Sequence, residues 1–594
     1  MNNRSIHNFH IPVMGIAFTI DTPIRVAQFG ISSVISIIDD EITEKMRKFY
    51  SQKFSLSFTE ISIKAEDHRA KRITAYLNMV DNIVSEKFKA FKEELVSQKQ
   101  SLIDFTDMLP NTSKLRSELK NFLSARQNTE LSLPDYLDRH LSPGNIDVNI
   151  MTKIDKDNYR NKEKLPIIYN DAHASLRGFA QSKLSSSVVL SAGMNPRLYS
   201  YIEQFEDFYP DSENQLKKKI ILKVSDFRSA MIQGQFLAKK GLWVSEYRIE
   251  SGLNCGGHAF ATEGHLLGPI LEEFKRRKNE LTDSAHDLMI AALKKRSRTV
   301  PLKPYEIKIT VQGGVGTSEE HQFLISRYGI DSVGWGSPFL LVPEATSLDP
   351  ETRQLLAGSE ESDFYLSNLS PLGTLFNTIK GTSNERIRRS KPDDKHSGSS
   401  CPKKFLALNK EFSSDGLCTA SAKYQTLKFE KLTKDKMALG SSQSRTKENV
   451  ISKKACLCVG LANSAYIENK IEVKGVDQGV IICPGPNLAY FDKEISLSKM
   501  VKHIYGYINV LSNSYRPNMF INELKMYVEF LKTGMLESHK DTTVANQKKW
   551  EVFRQNLVNG IAYYEDLFME PSFPQLNILK NSHNLQRSKS SLIL

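Results

Sequence analysis

The stretch 305-YEIKITVQGGVGTSEEHQFLISRYGIDSVGWGSPF-339 holds two β-branched or apolar runs with a helical pattern between them. The first run, residues 305–312, stops at Gly313 and Gly314. Thr317 and Ser318, with Glu319 and Glu320 behind them, read as a helix start, and Gly329 as its stop. A hydroxyl accepts an orphan N–H at the start, and glycine takes the left-handed conformation that ends a helix. The second run, 330–335, stops at another glycine turn, 334-GWGSPF-339. Strand, glycine turn, helix, strand is the unit of a parallel sheet covered by helices.

Six further runs of the same kind precede it: 11-IPVMGIAFTI-20, 31-ISSVISII-38, 146-IDVNIM-151, 187-SVVLSA-192, 219-KIILKV-224 and 242-LWVSEYRI-249. Both faces of most runs are apolar, as in a sheet buried on both sides. Helical patterns lie between them, for example 22-TPIRVAQFG-30, with Pro23 inside its start and Gly30 at its stop. Eight such units predict an α/β fold, a (β/α)8 TIM barrel over residues 1–350 with helical insertions; an open doubly wound sheet is the alternative. The first insertion, about 40–140, reads as amphipathic helices forming a solvated excursion, a lid or a dimer face. The second, about 266–300, is a helix expected to fold over the barrel mouth. Residues 351–400 read as an extension whose polar part, 380-KGTSNERIRRSKPDDKHSGSS-400, is a linker or mobile loop. A cysteine-containing, α-rich region follows over 401–580, and 581–594 is expected to be disordered.

Composition narrows the class. With 25% charged and 40% hydrophobic residues in 594, the chain reads as soluble and globular. It lacks the apolar run of roughly 18 residues that a membrane span needs, and its N-terminus does not read as a signal peptide. Six cysteines suit a reducing compartment, so a cytoplasmic location is expected. The net charge of +12 sits largely in local runs such as 275-KRRKNE-280 and 294-KKRSR-298, with no nucleic-acid-binding signature beside them. Solvated basic faces are the first reading and an acidic substrate carrier or nucleotide the alternative; neither nucleic acid nor membrane is expected as a partner.

Five cysteines fall in the C-terminal region: Cys401, Cys418, Cys456, Cys458 and Cys483. Two Cys-Pro pairs and one Cys-x-Cys suggest thiolate ligands for a 4Fe–4S cluster or zinc, although their spacing matches no compact ferredoxin or zinc-ribbon pattern. Ordinary buried thiols are the alternative.

In a barrel, chemistry sits at the carboxyl ends of the strands. Gly313 and Gly314 follow the seventh strand; Gly334, Gly336 and Ser337 lie at the eighth. Paired glycine turns there let backbone N–H groups surround a phosphate, helped by a helix N-terminus. After the sixth strand, 251-SGLNCGGHAF-260 places Gly256 and Gly257 where a flat ligand can lie on the backbone, with His258 above it. An imidazole there can move a proton near neutral pH, or merely bond a loop carbonyl. His265 and His321 read as structural, in a loop and on a helix surface.

The order of these motifs resembles the nitronate monooxygenase (2-nitropropane dioxygenase) family, whose relatives include flavin-dependent enoyl-acyl-carrier-protein reductases. The stretch 252-GLNCGGH-258 is similar to that family's Gly-x-Glu-(Ala/Ser)-Gly-Gly-His signature, 147-DVNIM-151 to its Val-Asn-Leu strand, and 220-IILKVSD-226 to its Pro-Lys-Val-Ser strand. The two glycine turns and the opening run 11–18 take the places of its phosphate motifs and first strand. The resemblance covers about residues 10–345 and implies FMN in the barrel. Met14, Gly15, Asn149, Lys223, Gly256 and Gly257 would then lie against the flavin and ribityl chain, the turns after strands seven and eight would hold the phosphate, and His258 would be the acid/base. It also implies a small-molecule or acyl-carrier substrate with an acidic C–H, and an electron donor such as NAD(P)H or a ferredoxin-like protein. Asn254 stands where the family has an acidic residue and Cys255 where it has Ala or Ser, which leaves the substrate open. A barrel that binds a phosphorylated ligand without redox chemistry is the competing reading.

Overall fold

Phe9–Ile11 (β1) pairs in parallel with Ser32–Ser36 (β2) on one side and Ser332–Gly334 (β8) on the other. Between them, in sequence order around the barrel, come Ile146–Ile150 (β3), Ser187–Leu190 (β4), Lys219–Val224 (β5), Val244–Glu250 (β6) and Lys308–Gln312 (β7). Every neighbour pair is parallel, and the sheet closes. The fold is therefore the (β/α)8 barrel, not the open sheet. The computed structural model describes residues 5–124, 131–390, 398–439, 451–512, 516–538, 544–571, 573 and 585–590.

The other seven expected runs overlap their strands, but the first meets β1 only at Ile11. β1 ends at Ile11, and residues 12–20 form turns that remain buried. Pro12 has no N–H to give a ladder, and Gly15 sits at φ +56°, so the chain leaves the sheet while its apolar side chains stay inside.

The inner faces of the strands are more polar than the sequence suggested. Val34, Val189 and Ile221 form a small apolar layer of their own. Around it, alternation places Asp147, Glu246, Arg248 and Thr310 on inward positions of β3, β6 and β7. Arg248, only 3% exposed, pairs with Glu246 at 2.7 Å, and Thr310 donates to the same carboxylate. Burial pushes Asp147 up to about 6, with Arg248 drawing it back.

The helical insertion is part of the body rather than a solvated excursion. Helix His68–Ser97 packs against Asp40–Lys53 and Asp171–Ala180, burying Ile73, Tyr76, Leu77 and Val80. Arg69 bridges Asp40 and Asp171 across those helices, and Arg72 adds a 3.0 Å pair to Asp40. The remaining insertion helices close a satellite core around Phe91, Phe105, Leu119 and Tyr136. Helix Leu267–Lys295 follows β6 and packs against Phe227–Ala238, so it belongs to the outer ring and does not cover the mouth as expected.

Residues 351–400 are more ordered than a linker. Phe364–Ser367 (β9) and Phe376–Ile379 (β10) form an antiparallel hairpin, and Ser383–Ser390 is helical; residues 391–397 lie outside the described residues. Beyond them the chain is α-rich, with helices Leu457–Glu468, Leu497–Ile504, Met519–Ser538 and Val544–Met569. One apolar core runs from Phe9 in β1 to Leu585. The tail expected to be disordered is helical over residues 585–590, where Lys589 pairs with Glu565 at 2.8 Å; the rest of 581–594 lies outside the described residues. Among the described residues, no helix is long and apolar enough to cross a membrane.

Removing one partner of a buried ion pair strands the other charge. Arg248→Ala is therefore expected to cost about 3–5 kcal/mol in urea unfolding. A loss below about 1 kcal/mol, the range of an exposed pair, would show that water reaches Glu246.

Candidate active site

A cavity of about 590 Å³ opens at the carboxyl ends of the barrel strands. Met14 and Gly15 after β1, Asn149 on β3 and Lys223 on β5 line it. So do Gly256, Gly257 and His258 after β6, Gly313 and Gly314 after β7, and Gly334, Gly336 and Ser337 at and beyond β8. All the residues expected around a flat phosphorylated ligand thus meet in one place.

The floor is polar. Lys223 Nζ lies 3.1 Å from Glu250, and the Gln312 amide N–H donates to the same carboxylate. Asn149 Oδ1 is buried with no partner among the described residues, whereas Gln312 Oε1 faces the His10 ring. A buried acceptor without a donor costs about 1–3 kcal/mol, so Asn149 is suited to a ligand carrying N–H or O–H groups. Sequence reasoning quoted Gln312 and left it without a role; it missed Glu250, whose charge matters only once Lys223 is beside it.

The glycine turns have two separate reasons. Gly313 and Gly314 take φ +123° and +81°, and a Cβ on Gly314 would sit 2.0 Å from the Asn254 amide. Close packing of the β7 turn on the β6 loop therefore demands glycine there. Gly257, at φ +83°, has nothing within 4 Å of a would-be Cβ and faces open space. The helix N-terminus behind the β7 turn contributes less than expected. Thr317 caps Glu320, whose own carboxylate accepts from Gly316 N–H and pairs with Arg516 at 2.7 Å. Two of its first donors, Glu320 N–H and His321 N–H, are taken by Thr317.

His258 does not bond a loop carbonyl. Its Nε2 lies 2.6 Å from Ser370 Oγ, and its ring stands edge-on to Phe376 with centroids 5.0 Å apart. Burial, then the nearby Lys153 ammonium, lowers its pKa to about 4, so the ring is neutral near pH 7. Lys153 also lines the cavity, its Nζ 4.3 Å above the Phe260 ring. His321, expected on a helix surface, is buried instead and structural. It lies between Asn8 Oδ1 at 3.0 Å and the Trp335 indole N–H at 3.2 Å.

The C-terminal region supplies the rest of the site. Gly257 N–H donates to Cys483 O, Asn377 N–H to Gly257 O, and Ala259 N–H to Leu375 O. The Asn377 side-chain amide reaches the carbonyls of Leu253 and Cys255. Gly485 N–H donates to Ser337 Oγ at 2.7 Å, and Arg516 donates to Gly314 O. Glu523 staples the two ends of the β6 loop, accepting from Ser251 Oγ at 2.6 Å and Leu267 N at 2.8 Å. The cavity is lined as well by Leu372, Phe405, Leu406, Leu408, Leu457 and Leu461, its apolar annex.

Four of the five cysteines, Cys401, Cys418, Cys456 and Cys458, lie near enough to shift one another's thiol pKa values, and Cys483 sits elsewhere. Among the described residues, no three His, Cys, Asp or Glu side chains gather into a group that could hold a metal. Cys456 stands at the start of helix Leu457–Glu468 without a side-chain capping bond, and the thiol of Cys458, in the first turn, is raised by burial and then by Cys456 and Cys401. Cys401 and Cys418 hydrogen-bond each other, which lowers Cys401 to about 7. Cys483 sits apart, against the backbone N–H groups of Gly15 and Gly257, and burial raises its thiol to about 12. All five are buried free thiols; Cys255, in the β6 loop, is partly exposed.

No protein-family model and no curated protein matches the chain. Among solved structures it is similar to the enoyl reductase domain of MlnA from the macrolactin biosynthesis cluster of Bacillus amyloliquefaciens. Identity is 12%, the match covers 73% of this chain and 89% of that one, and the TM-score is 0.28.

Burial raises Glu523 from 4.5 to about 7 against three hydrogen-bond donors. A carboxyl whose folded pKa is raised contributes stability that is full below the unfolded value and is lost as pH rises through the folded one. Wild-type protein should therefore lose thermal stability between about pH 5 and pH 8, while Glu523→Gln shows a flatter profile. Parallel profiles for the two would place the charge of Glu523 in water.

Proposed function

We propose that the chain is an FMN-dependent oxidoreductase acting on a substrate with an acidic C–H beside a nitro, carbonyl or thioester group. The observation that carries this reading is the convergence of the strand-end glycines, Asn149, Lys223 and His258 on one cavity. The partnerless buried acceptor of Asn149 on its floor fits a ring system that presents a hydrogen-bond donor. The resemblance of the same motifs to the nitronate monooxygenase family supports it. FMN, when bound, would supply reversible two-electron chemistry.

The protein's part is to hold and to move a proton. The β7 and β8 turns would take the phosphate, with Gly313, Gly314, Gly336 and Ser337 giving backbone or hydroxyl donors. Lys223, Asn149 and Gln312 would face the polar edge of the ring. His258, neutral near pH 7, would accept the proton of the acidic C–H, and return it in the opposite direction. Lys153 holds the imidazole's basicity down, so a substrate oxygen that offsets its charge would raise that basicity as the substrate binds.

The apolar annex favours a second form of the same reading, an enoyl-thioester reductase. A nitronate of a few atoms does not need Phe405, Leu406 and Leu461 around it, whereas an acyl chain gains about 0.8 kcal/mol for each methylene buried there.

Freshly purified protein, or protein incubated with FMN, should show flavin absorption bands. Protein that stays colourless after FMN is added would refute the class. His258→Ala should keep the bands and lose about 10²–10⁴-fold in turnover of an alkyl nitronate or a crotonyl thioester. Unchanged turnover would remove its assigned role. Leu461→Trp should lower turnover of an octenoyl thioester more than that of the crotonyl thioester; equal losses would place the chain elsewhere.

A further inference from the structure

We propose that Ser370 is a positioning residue for His258: its hydroxyl holds Nε2, so that proton exchange with the cavity takes place at Nδ1. Ser370 lies in the turn joining β9 to β10, outside every motif that the barrel supplies, and is fully buried. Its Oγ is 2.6 Å from His258 Nε2 and also accepts from Leu372 N–H at 3.2 Å. Nε2 is thereby occupied. Nδ1 has no protein partner among the described residues, in a ring that lines the cavity.

The surroundings keep that arrangement in place. Lys454 Nζ donates to Ser370 O at 2.9 Å, Ala455 N–H to Leu369 O at 3.0 Å, and Thr419 Oγ1 to Pro371 O at 3.0 Å. On the imidazole side, His258 bridges to Phe376, with Asn377 N–H on Gly257 O and Ala259 N–H on Leu375 O. Serine and histidine are thus presented to each other by two segments locked together by their backbones. The charged neighbours are Lys153 beside the ring and Lys454 behind the serine; the Lys223–Glu250 pair lines the same cavity.

Oγ accepts from Leu372 N–H, and in the proposed tautomer the ring N–H is the donor of its second bond. With Nε2–H donated to Ser370, the neutral ring has its lone pair on Nδ1, the form a base requires. Taking a proton there gives an imidazolium that keeps the same bond to Ser370. The hydroxyl therefore serves both protonation states without moving. The chemical consequence rests on the proposed acid/base role, but the tautomer does not.

The test is nitrogen NMR of the full-length protein labelled with 15N-histidine, the His258 signals being assigned by their loss in His258→Gln. Wild-type protein at pH 7 should show His258 as one tautomer, protonated at Nε2. Ser370→Ala should give averaged signals from both tautomers, and Ser370→Thr, which restores a hydroxyl, should return the wild-type pattern. A wild-type ring protonated at Nδ1, or a Ser370→Ala spectrum identical to wild type, would overturn the proposal. The wild-type measurement stands even if the alanine variant does not fold. In FMN-loaded protein Ser370→Ala should lower kcat about tenfold with KM unchanged, and an unchanged kcat would count against the proposal. If His258→Ala itself turns over normally, the acid/base reading falls while the NMR result is judged separately.

Discussion

Residues 251–260 contain three glycines and no helix or strand of their own, so their shape has to be imposed from outside. Ordering glycine costs more backbone entropy than ordering any other residue. Here the cost is offset by bonds from three separate segments: Glu523 on Ser251, the Leu375–Asn377 stretch on Ala259 and on the carbonyls of Leu253, Cys255 and Gly257, and Cys483 on Gly257. All three come from beyond residue 370. The loop that carries His258 is therefore a joint product of the barrel and the C-terminal region. The region absent from the family resemblance is the one that gives the resembling motif its geometry.

The barrel divides its interior by chemistry. Near the middle, Val34, Val189 and Ile221 pack as an apolar layer, and Arg248 with Glu246 fills the space beside them. Toward the carboxyl end the side chains become acceptors and cations that face the cavity: Asn149, Lys223, Glu250 and Gln312. An ion pair buried among well-packed side chains rarely adds stability over an apolar replacement. Its presence here fits a barrel whose inner surface is shaped toward a polar ligand at one end.

Much of this was legible because it is local. β-branched runs, proline and glycine at helix ends, and glycine turns after strands act through their own backbone, and the eight strands and the helix caps at Thr317 and Gly329 follow from them. The first strand was read too long because apolar composition reports burial, whereas Pro12 and Gly15 report the backbone. The inward polarity of β6 was overlooked for the converse reason. In 242-LWVSEYRI-249 the charged residues Glu246 and Arg248 sit two apart, and only a closed barrel turns both to the inside. What could not be read were the partners distant in sequence. Ser370, Asn377, Arg516 and Glu523 carry no motif, and their importance lies entirely in what they touch.

The same distance dependence explains why the imidazole has to be held so firmly. A neutral histidine with a free ring divides its proton between two nitrogens, and a base needs the lone pair on the nitrogen that meets the substrate. Burial keeps the ring neutral at pH 7, which removes one uncertainty, but burial alone does not choose the nitrogen. The choice falls to whatever reaches the far side of the ring. In the arrangement proposed for this chain that is a serine on a hairpin turn anchored by Lys454 and Ala455, which would give the tautomer to the segment laid over the barrel.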